Sequence, residues 1–281
     1  MTLATTADIV GGAVTRGAGV PAFNVITIEQ AEAVVLGVAD AAVPALIQVS
    51  QNALTFRHGM APLLAACREL AREAAVEIAV HVDHLDDPDL TRAVLERAEE
   101  LGVGSVMFDK AAAPHAENAA LTARIAQDAH GRGRWIEGEL GEVGGKGGAH
   151  APGVRTDVAE AQQFVGETGV DLLAVAVGSS HAMTERTAVL DLDLIARLSA
   201  AVPVPLVLHG SSGVPDAALA DAVAAGIRKV NVGTALGIVG TAALRRELAE
   251  RPDVVDPRSY LRGVRAAIRD EVARLAAVVG G

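Results

Sequence analysis

The stretch 77–84, Glu-Ile-Ala-Val-His-Val-Asp-His, begins as an apolar run and ends in three polar groups: His81, Asp83 and His84. In an extended strand Val80 and Val82 share one face, and His81 and Asp83 share the other. Two further apolar runs end near His181 and His209. Any one of these histidines alone would be a hydrogen-bonded residue at the rim of a fold. Neutral imidazoles from three strand ends together make a three-coordinate site for a divalent metal, with positions left for a substrate, as in catalytic zinc centres. Asp83, adjacent to a candidate ligand, is either a proton-transfer group or a carboxylate that orients a histidine ring. Both Asp83 and His84 face one pocket only if the strand bends or ends there. Glu137 and Glu139 share a face of another strand. Two carboxylates inside a fold are costly unless they meet cations or water, and one of them facing the metal is the functional reading. His58, His115 and His130 lie in helical stretches and carry no assigned role.

Two later segments suit an anion. Leu208-His-Gly-Ser-Ser-Gly213 and Val230-Asn-Val-Gly-Thr234 are small-residue turns leading into helical patterns. The backbone N–H groups of such turns, with the hydroxyls of Ser211, Ser212 and Thr234, fit a phosphate.

These groups need a scaffold that brings strand ends together. Strand patterns run over 21–27, 44–50, 77–84, 105–110, 134–141, 172–178, 204–211 and 229–234, with amphipathic helical stretches between them. Asp87 before Pro88 and Asp157 before Val158 are helix-start signals. Eight such units predict one closed (β/α)8 TIM barrel spanning residues 1–281, with a helix near 8–16 in front and one or two extra helices over 258–279. No Gly-x-Gly-x-x-Gly turn follows the first strand, as an open dinucleotide-binding sheet would require. The C-terminal ends of barrel strands are where catalytic groups sit, and the loops after strands seven and eight are the fold's common phosphate site. The one irregular insertion, 141–156, is rich in glycine and is expected to cover the barrel mouth.

Composition narrows the partners. The chain has 281 residues, 51 % of them hydrophobic, yet no apolar run approaches the roughly 18 residues of a membrane span. The N-terminus has no secretion-signal pattern, and a single cysteine, Cys67, leaves no intrachain disulfide; both fit a cytoplasmic protein. A net charge of −11 argues against nucleic acid as the main partner, though not against a small anion.

The motifs together resemble those of the class II, metal-dependent ketose-bisphosphate aldolases, over nearly the full length. They are Ala22-Phe-Asn-Val25, Ile47-Gln-Val-Ser50, His81-Val-Asp-His84, Ser105-Val-Met-Phe-Asp109, Glu137-Gly-Glu-Leu-Gly141, Ala174-Val-Ala-Val-Gly178 with His181, His209-Gly-Ser-Ser-Gly213 and Lys229-Val-Asn-Val-Gly-Thr234. The resemblance is strongest to the shorter branch containing fructose- and tagatose-bisphosphate aldolases. It implies that His84, His181 and His209 bind Zn2+. It implies that Asp83 handles the proton on the aldehyde oxygen, and that Asn24, Ser50 and Asn231 hold the substrate near the reacting carbons. Gly210, Ser212 and Thr234 would bind the phosphate of dihydroxyacetone phosphate, with a monovalent cation, Na+ or K+, nearby. The implied reaction is reversible cleavage of fructose or tagatose 1,6-bisphosphate into dihydroxyacetone phosphate and glyceraldehyde 3-phosphate, by a homodimer or homotetramer.

The chain departs from the family pattern in places. The family's loop glutamate, which moves the proton on the dihydroxyacetone carbon, aligns near Gly147 within Gly144-Gly-Lys-Gly-Gly-Ala-His150. Glu139, Glu142 and His150 are the nearest groups able to replace it. Ala182 and Glu185 stand where relatives carry glycine and lysine, with Arg186 next door. Two other functions compete with the expected one. A Schiff-base aldolase needs an interior lysine, and of Lys110, Lys146 and Lys229 the last lies at the N-terminal end of its expected strand. A non-catalytic metal- and sugar-phosphate-binding subunit is consistent with the missing loop glutamate.

Overall fold

The computed structural model describes residues 3–140, 154–180 and 183–281. Strands β1 (Val20–Asn24), β2 (Ala45–Ser50), β3 (Ile78–Leu85), β4 (Val103–Phe108), β5 (Trp135–Leu140), β6 (Leu172–Val175), β7 (Leu206–Leu208) and β8 (Ile227–Val232) pair in parallel and in sequence order. β1 pairs with β8 and closes the barrel. Every strand lies within two residues of its expected start, but β1, β6 and β7 each end about three residues earlier than expected. Residues after Val175 and Leu208 leave the ladder, so His209 falls just past its strand.

Alternation along the strands sorts residues into two compartments. Outward-facing residues such as Ile47, Val80, Val82, Val106 and Leu173 pack against the surrounding helices in the main core. Inward-facing residues are apolar at the bottom and polar toward the mouth. Val20, Ala22, Leu46, Ala79, Met107, Leu172, Ala174 and Val207 form the lower interior. The helix Thr6–Arg16 closes it from below with Ile9, Val10 and Ala13. Thr5 caps that helix by accepting from the Asp8 N–H.

The helix signals hold. Asp87 accepts from the N–H groups of Asp89 and Leu90 at the start of Pro88–Glu96, and Asp157 from those of Ala159 and Glu160 at the start of Val158–Thr168. Each such cap contributes about 1 kcal/mol. The helical stretch between β3 and β4 is interrupted at Arg97, which separates Pro88–Glu96 from Ala98–Leu101. The C-terminal tail, expected as one or two helices, is a single helix, Pro257–Gly280. It packs on the helix Ile28–Ala41 at Gly37, where a Cβ would stand 2.6 Å from the Arg269 carbonyl oxygen. Arg265–Glu32 and Arg269–Asp40 ion pairs flank this crossing.

Candidate active site

The polar groups at the mouth are inward-facing residues of neighbouring strands, set level by the barrel's register. Ser50 pairs with Asp83, Gln48 with His81, Asn24 with Gln48 and Ala22 with Asn231. Asp83 is buried and accepts from Asn24 Nδ2 at 2.8 Å and from Asn231 Nδ2 at 3.2 Å. Gln48 Nε2 donates to Asn24 Oδ1 at 3.0 Å, which fixes the orientation of that amide.

His84 follows Asp83 directly and reaches the same cavity. Its φ is 51°, a left-handed value unusual for a non-glycine residue, and the β3–β4 register shifts between Val82 and Leu85. The strand therefore bends at the pair instead of ending there. His84 Nδ1 donates to Asp109 Oδ2 at 2.8 Å, and its Nε2 lies 3.9 Å from Asp83 Oδ2. His209 lies edge-on to His84, with ring centroids 4.7 Å apart. His209 Nε2 donates to Glu137 Oε1 at 2.8 Å, and its Nδ1 lies 3.4 Å from Glu139 Oε2. Each of these two histidines thus gives one nitrogen to a carboxylate, the usual support for a metal-binding imidazole.

Glu137 and Lys229 occupy the interior one layer below. Lys229 is fully buried, and its Nζ donates to Glu137 Oε2 at 2.7 Å and to Asn231 Oδ1 at 2.8 Å. β8 begins at Ile227, two residues earlier than expected, so Lys229 lies within the strand and points into the barrel, not at its N-terminal end. It is the cation that Glu137 requires, whereas Glu139 faces His84 and His209. Further down, His81 Nδ1 and Ser105 Oγ are 2.7 Å apart, and Ser105 Oγ is 2.7 Å from Thr6 Oγ1. A buried polar column thus runs from the plug helix to the mouth.

The electrostatics favour positive charge at the mouth. Burial opposes ionisation of Glu137, but Lys229 and then His209 outweigh it and bring Glu137 down to about 2. Burial likewise opposes ionisation of Asp83, yet His84, Lys229 and His209 hold it well below the usual carboxylate range. Burial disfavours a charged His209, but its contacts with Glu137 and Glu139 push it up to about 9. Burial, and after it the charge of Lys229, pushes His81 down to about 3. An imidazole enclosed by carboxylates, as His209 is, binds a proton or a metal ion.

The donor set suits a divalent ion. Ligand atoms of Asp83, His84 and His209 lie within 4.8 Å of one another, as do those of His84, Asp109 and Glu139. His181, the third expected ligand, lies outside the described residues, as do Glu142 and His150. The residues just before His181 are described. Ser179 Oγ donates to the His209 carbonyl at 2.5 Å, and Ser180 lies against Gly210.

Over this centre lies a cavity of about 560 Å³, lined by Asn24, Ser50, Asp83, His84, Asn231 and the turns after β7 and β8. Gly210, Ser212, Gly233 and Thr234 line its far side, where the helix Thr234–Glu250 begins. Ser212 Oγ accepts from the Ala235 N–H at 3.0 Å, and Ser211 Oγ donates to the Asn231 carbonyl. Ser50 also caps the helix Gln51–Phe56. Arg186 faces away from this cavity, bonding to the Val214 carbonyl and to Asp216.

A family model described as fructose-bisphosphate aldolase class-II matches residues 4–281. The chain belongs to the class II fructose-bisphosphate aldolase family. It is 34 % identical over 269 residues to the D-tagatose-1,6-bisphosphate aldolase subunit GatY of Klebsiella oxytoca, covering 94 % of this chain and 93 % of that one. The crystal structure of the YdjI aldolase from Escherichia coli K12 superposes with a TM-score of 0.85 at 27 % identity, over 99 % of this chain and 98 % of that one. A fructose-bisphosphate aldolase from Campylobacter jejuni shares the fold, with a TM-score of 0.80 at 20 % identity over 97 % and 93 % of the two chains. The protein is thus a carbon–carbon lyase of the aldehyde-lyase type, and class II aldolases are metal-dependent. Among the described residues no helix is long and apolar enough to cross a membrane.

Sequence reading missed three residues of this site. Asp109 ends the motif 105–109, and a carboxylate immediately after a barrel strand is the signal that points to it. Lys229 reads from sequence as the start of its strand, whereas β8 begins two residues before it. Gln48 showed no signal beyond its place on the same strand face as Ser50.

Proposed function

We propose that this class II aldolase reversibly cleaves a ketose 1,6-bisphosphate, fructose or tagatose, into dihydroxyacetone phosphate and glyceraldehyde 3-phosphate. The observation that carries this reading is the convergence of ligand atoms of Asp83, His84 and His209 within 4.8 Å of one another, beside a cavity lined by Asp83 and His84 on one side and by the turns after β7 and β8 on the other. His84 and His209, with His181, would hold Zn2+. The seating of Ser179 and Ser180 against His209 and Gly210 supports the third ligand. When bound, the ion supplies Lewis-acid stabilisation of the charge left on the ketone half.

The chain's own residues handle the protons. Asp83, ionised and held by two amides, takes the hydroxyl proton of the aldehyde half as the carbon–carbon bond breaks, and returns it in condensation. The carbon of the departing ketone half then needs a proton from a second group, and Glu139, Glu142 and His150 are the groups nearest the family's loop position. The burial of Glu139 beside His84 and His209 suits a carboxylate of the metal centre, so Glu142 and His150 head the tests for proton transfer. Asn24, Ser50 and Asn231 border the reacting carbons. Gly210, Ser212 and Thr234, at the start of a 17-residue helix, offer N–H and hydroxyl groups to a phosphate, with Na+ or K+ beside it.

The chain is read as one catalytic barrel acting in the cytoplasm as a homodimer or homotetramer. A second reading comes from the name of the Klebsiella relative, which is called a subunit. Assays of the purified chain on fructose and tagatose 1,6-bisphosphates, with and without chelator, test both. Chelator-sensitive cleavage by the chain alone supports the first reading, and no cleavage of either sugar by the metal-loaded chain favours a subunit that binds without turning over.

A further inference from the structure

The mouth residues account for the chemistry, but Lys229 does not touch the cavity, and it is the one lysine buried in the barrel interior among the described residues. Its two hydrogen bonds lead to different halves of the site. One runs through Glu137 to His209: Nζ to Glu137 Oε2 at 2.7 Å, then Glu137 Oε1 to His209 Nε2 at 2.8 Å. The other runs through Asn231 to Asp83: Nζ to Asn231 Oδ1 at 2.8 Å, then Asn231 Nδ2 to Asp83 Oδ1 at 3.2 Å. Building on the metal assignment above, we infer that Lys229 is a positioning residue that orients the metal-binding imidazole and the proton-transfer carboxylate at once.

The chemistry of each arm follows from donor and acceptor rules. An ammonium group only donates, so both atoms facing it are acceptors. On the first arm Glu137 is thereby held as a carboxylate, which accepts the Nε2 proton of His209. The imidazole then turns Nδ1 away from Glu137, to where Glu139 Oε2 lies 3.4 Å off, and leaves that nitrogen for the metal. On the second arm the ammonium requires the oxygen of the Asn231 amide to point down. Its NH2 group must then point up at Asp83. A flipped amide would set its oxygen against the Asp83 carboxylate. Lys229 forms no bond with substrate and is not a catalytic residue.

The test uses the full-length protein with four variants: Lys229→Met, Glu137→Gln, the double Glu137→Gln/Lys229→Met, and His209→Ala. The double variant removes both buried charges together, so it keeps the interior neutral and guards against a Lys229→Met chain that fails to fold. Affinity for Zn2+ alone is measured by competition with a chromogenic chelator. Separately, carbon–carbon cleavage is compared with solvent exchange of the dihydroxyacetone phosphate C–H proton, a ratio that loss of folded protein would leave unchanged. Lys229→Met should bind Zn2+ about 10–100-fold more weakly, the range seen when a partner of a metal-binding histidine is removed. It should also lose cleavage more than exchange. Glu137→Gln should show the weaker Zn2+ binding with the cleavage-to-exchange ratio of the wild type. The double variant should match Glu137→Gln in metal affinity and Lys229→Met in that ratio. The inference is overturned if His209→Ala loses Zn2+ while the Lys229 variants, single or double, keep both wild-type affinity and wild-type ratio. Equal Zn2+ binding by wild type and folded His209→Ala would instead overturn the metal assignment itself, and this inference with it.

Discussion

Asp83 and His84 are consecutive in the chain, yet both side chains reach one cavity, because His84 takes a φ of 51° and the strand bulges there. In a regular strand they would point to opposite faces, and either the proton-transfer group or the metal ligand would be lost to the helical layer. The left-handed residue is the local distortion on which the centre depends.

Asp83→Ala should lower carbon–carbon cleavage by about 10²–10⁴-fold, the range for general acid–base groups. Exchange of the dihydroxyacetone phosphate C–H proton should persist, since that proton lies on the other half of the substrate. Wild-type cleavage by the variant would reduce Asp83 to a partner of the amides around it. Glu139→Gln, Glu142→Gln and His150→Ala, assayed for the same exchange, locate the second group. Normal exchange in all three would place it elsewhere.

Removal of the metal should abolish cleavage. Purified protein should carry about one zinc-like ion per chain. Elemental analysis of wild type and His209→Ala, both checked for folding, decides the ligand assignment: equal metal in the two would refute it.

Borohydride added with substrate should leave the enzyme active. A Schiff-base lysine must reach the substrate as a free amine, whereas Lys229 is spent on Glu137 and Asn231 below the cavity. Inactivation with added mass on Lys110 or Lys229 would reverse the choice of mechanism.

Gly210→Ala should be harmful and Gly233→Ala nearly neutral. Gly210 has φ +67, and a Cβ there would stand 2.5 Å from the Ser180 carbonyl oxygen. The left-handed backbone alone costs an alanine about 1–2 kcal/mol. At Gly233 the nearest atom to a Cβ is 3.5 Å away, an ordinary contact. Thermal melts should show a drop of several degrees for the first variant and little change for the second, and metal content should fall only in the first.

Cys67 should resist thiol reagents in the native protein. Burial pushes its thiol up to about 12 from 9.0. The sign follows directly: from pH 9 to 12 the unfolded chain gives up this proton first, so Cys67 contributes stability below that window and loses it as pH rises. Ellman's reagent at pH 8 should react with one equivalent only after denaturant is added, and prompt reaction without denaturant would show that the helix Ala61–Glu73 does not bury it.

Much of this molecule is determined by local pattern. Apolar runs of strand length alternate with amphipathic stretches, and Asp87 and Asp157 start their helices from signals two or three residues long. Such features depend on neighbours in sequence, so the barrel and the polar strand ends at Asp83, His84 and His209 could be read before any contact was known. The partners of those residues could not. Asp109 meets His84 because β4 lies beside β3, and Lys229 meets Glu137 across 92 residues of sequence because the barrel closes. The bend at His84 likewise arises where two strands shift register. A buried charge is tolerated only beside its counter-charge, and which groups become neighbours is a property of strand order and register. The groups of the site are therefore visible in the sequence, while their ionisation, orientation and mutual support are decided by the closed sheet.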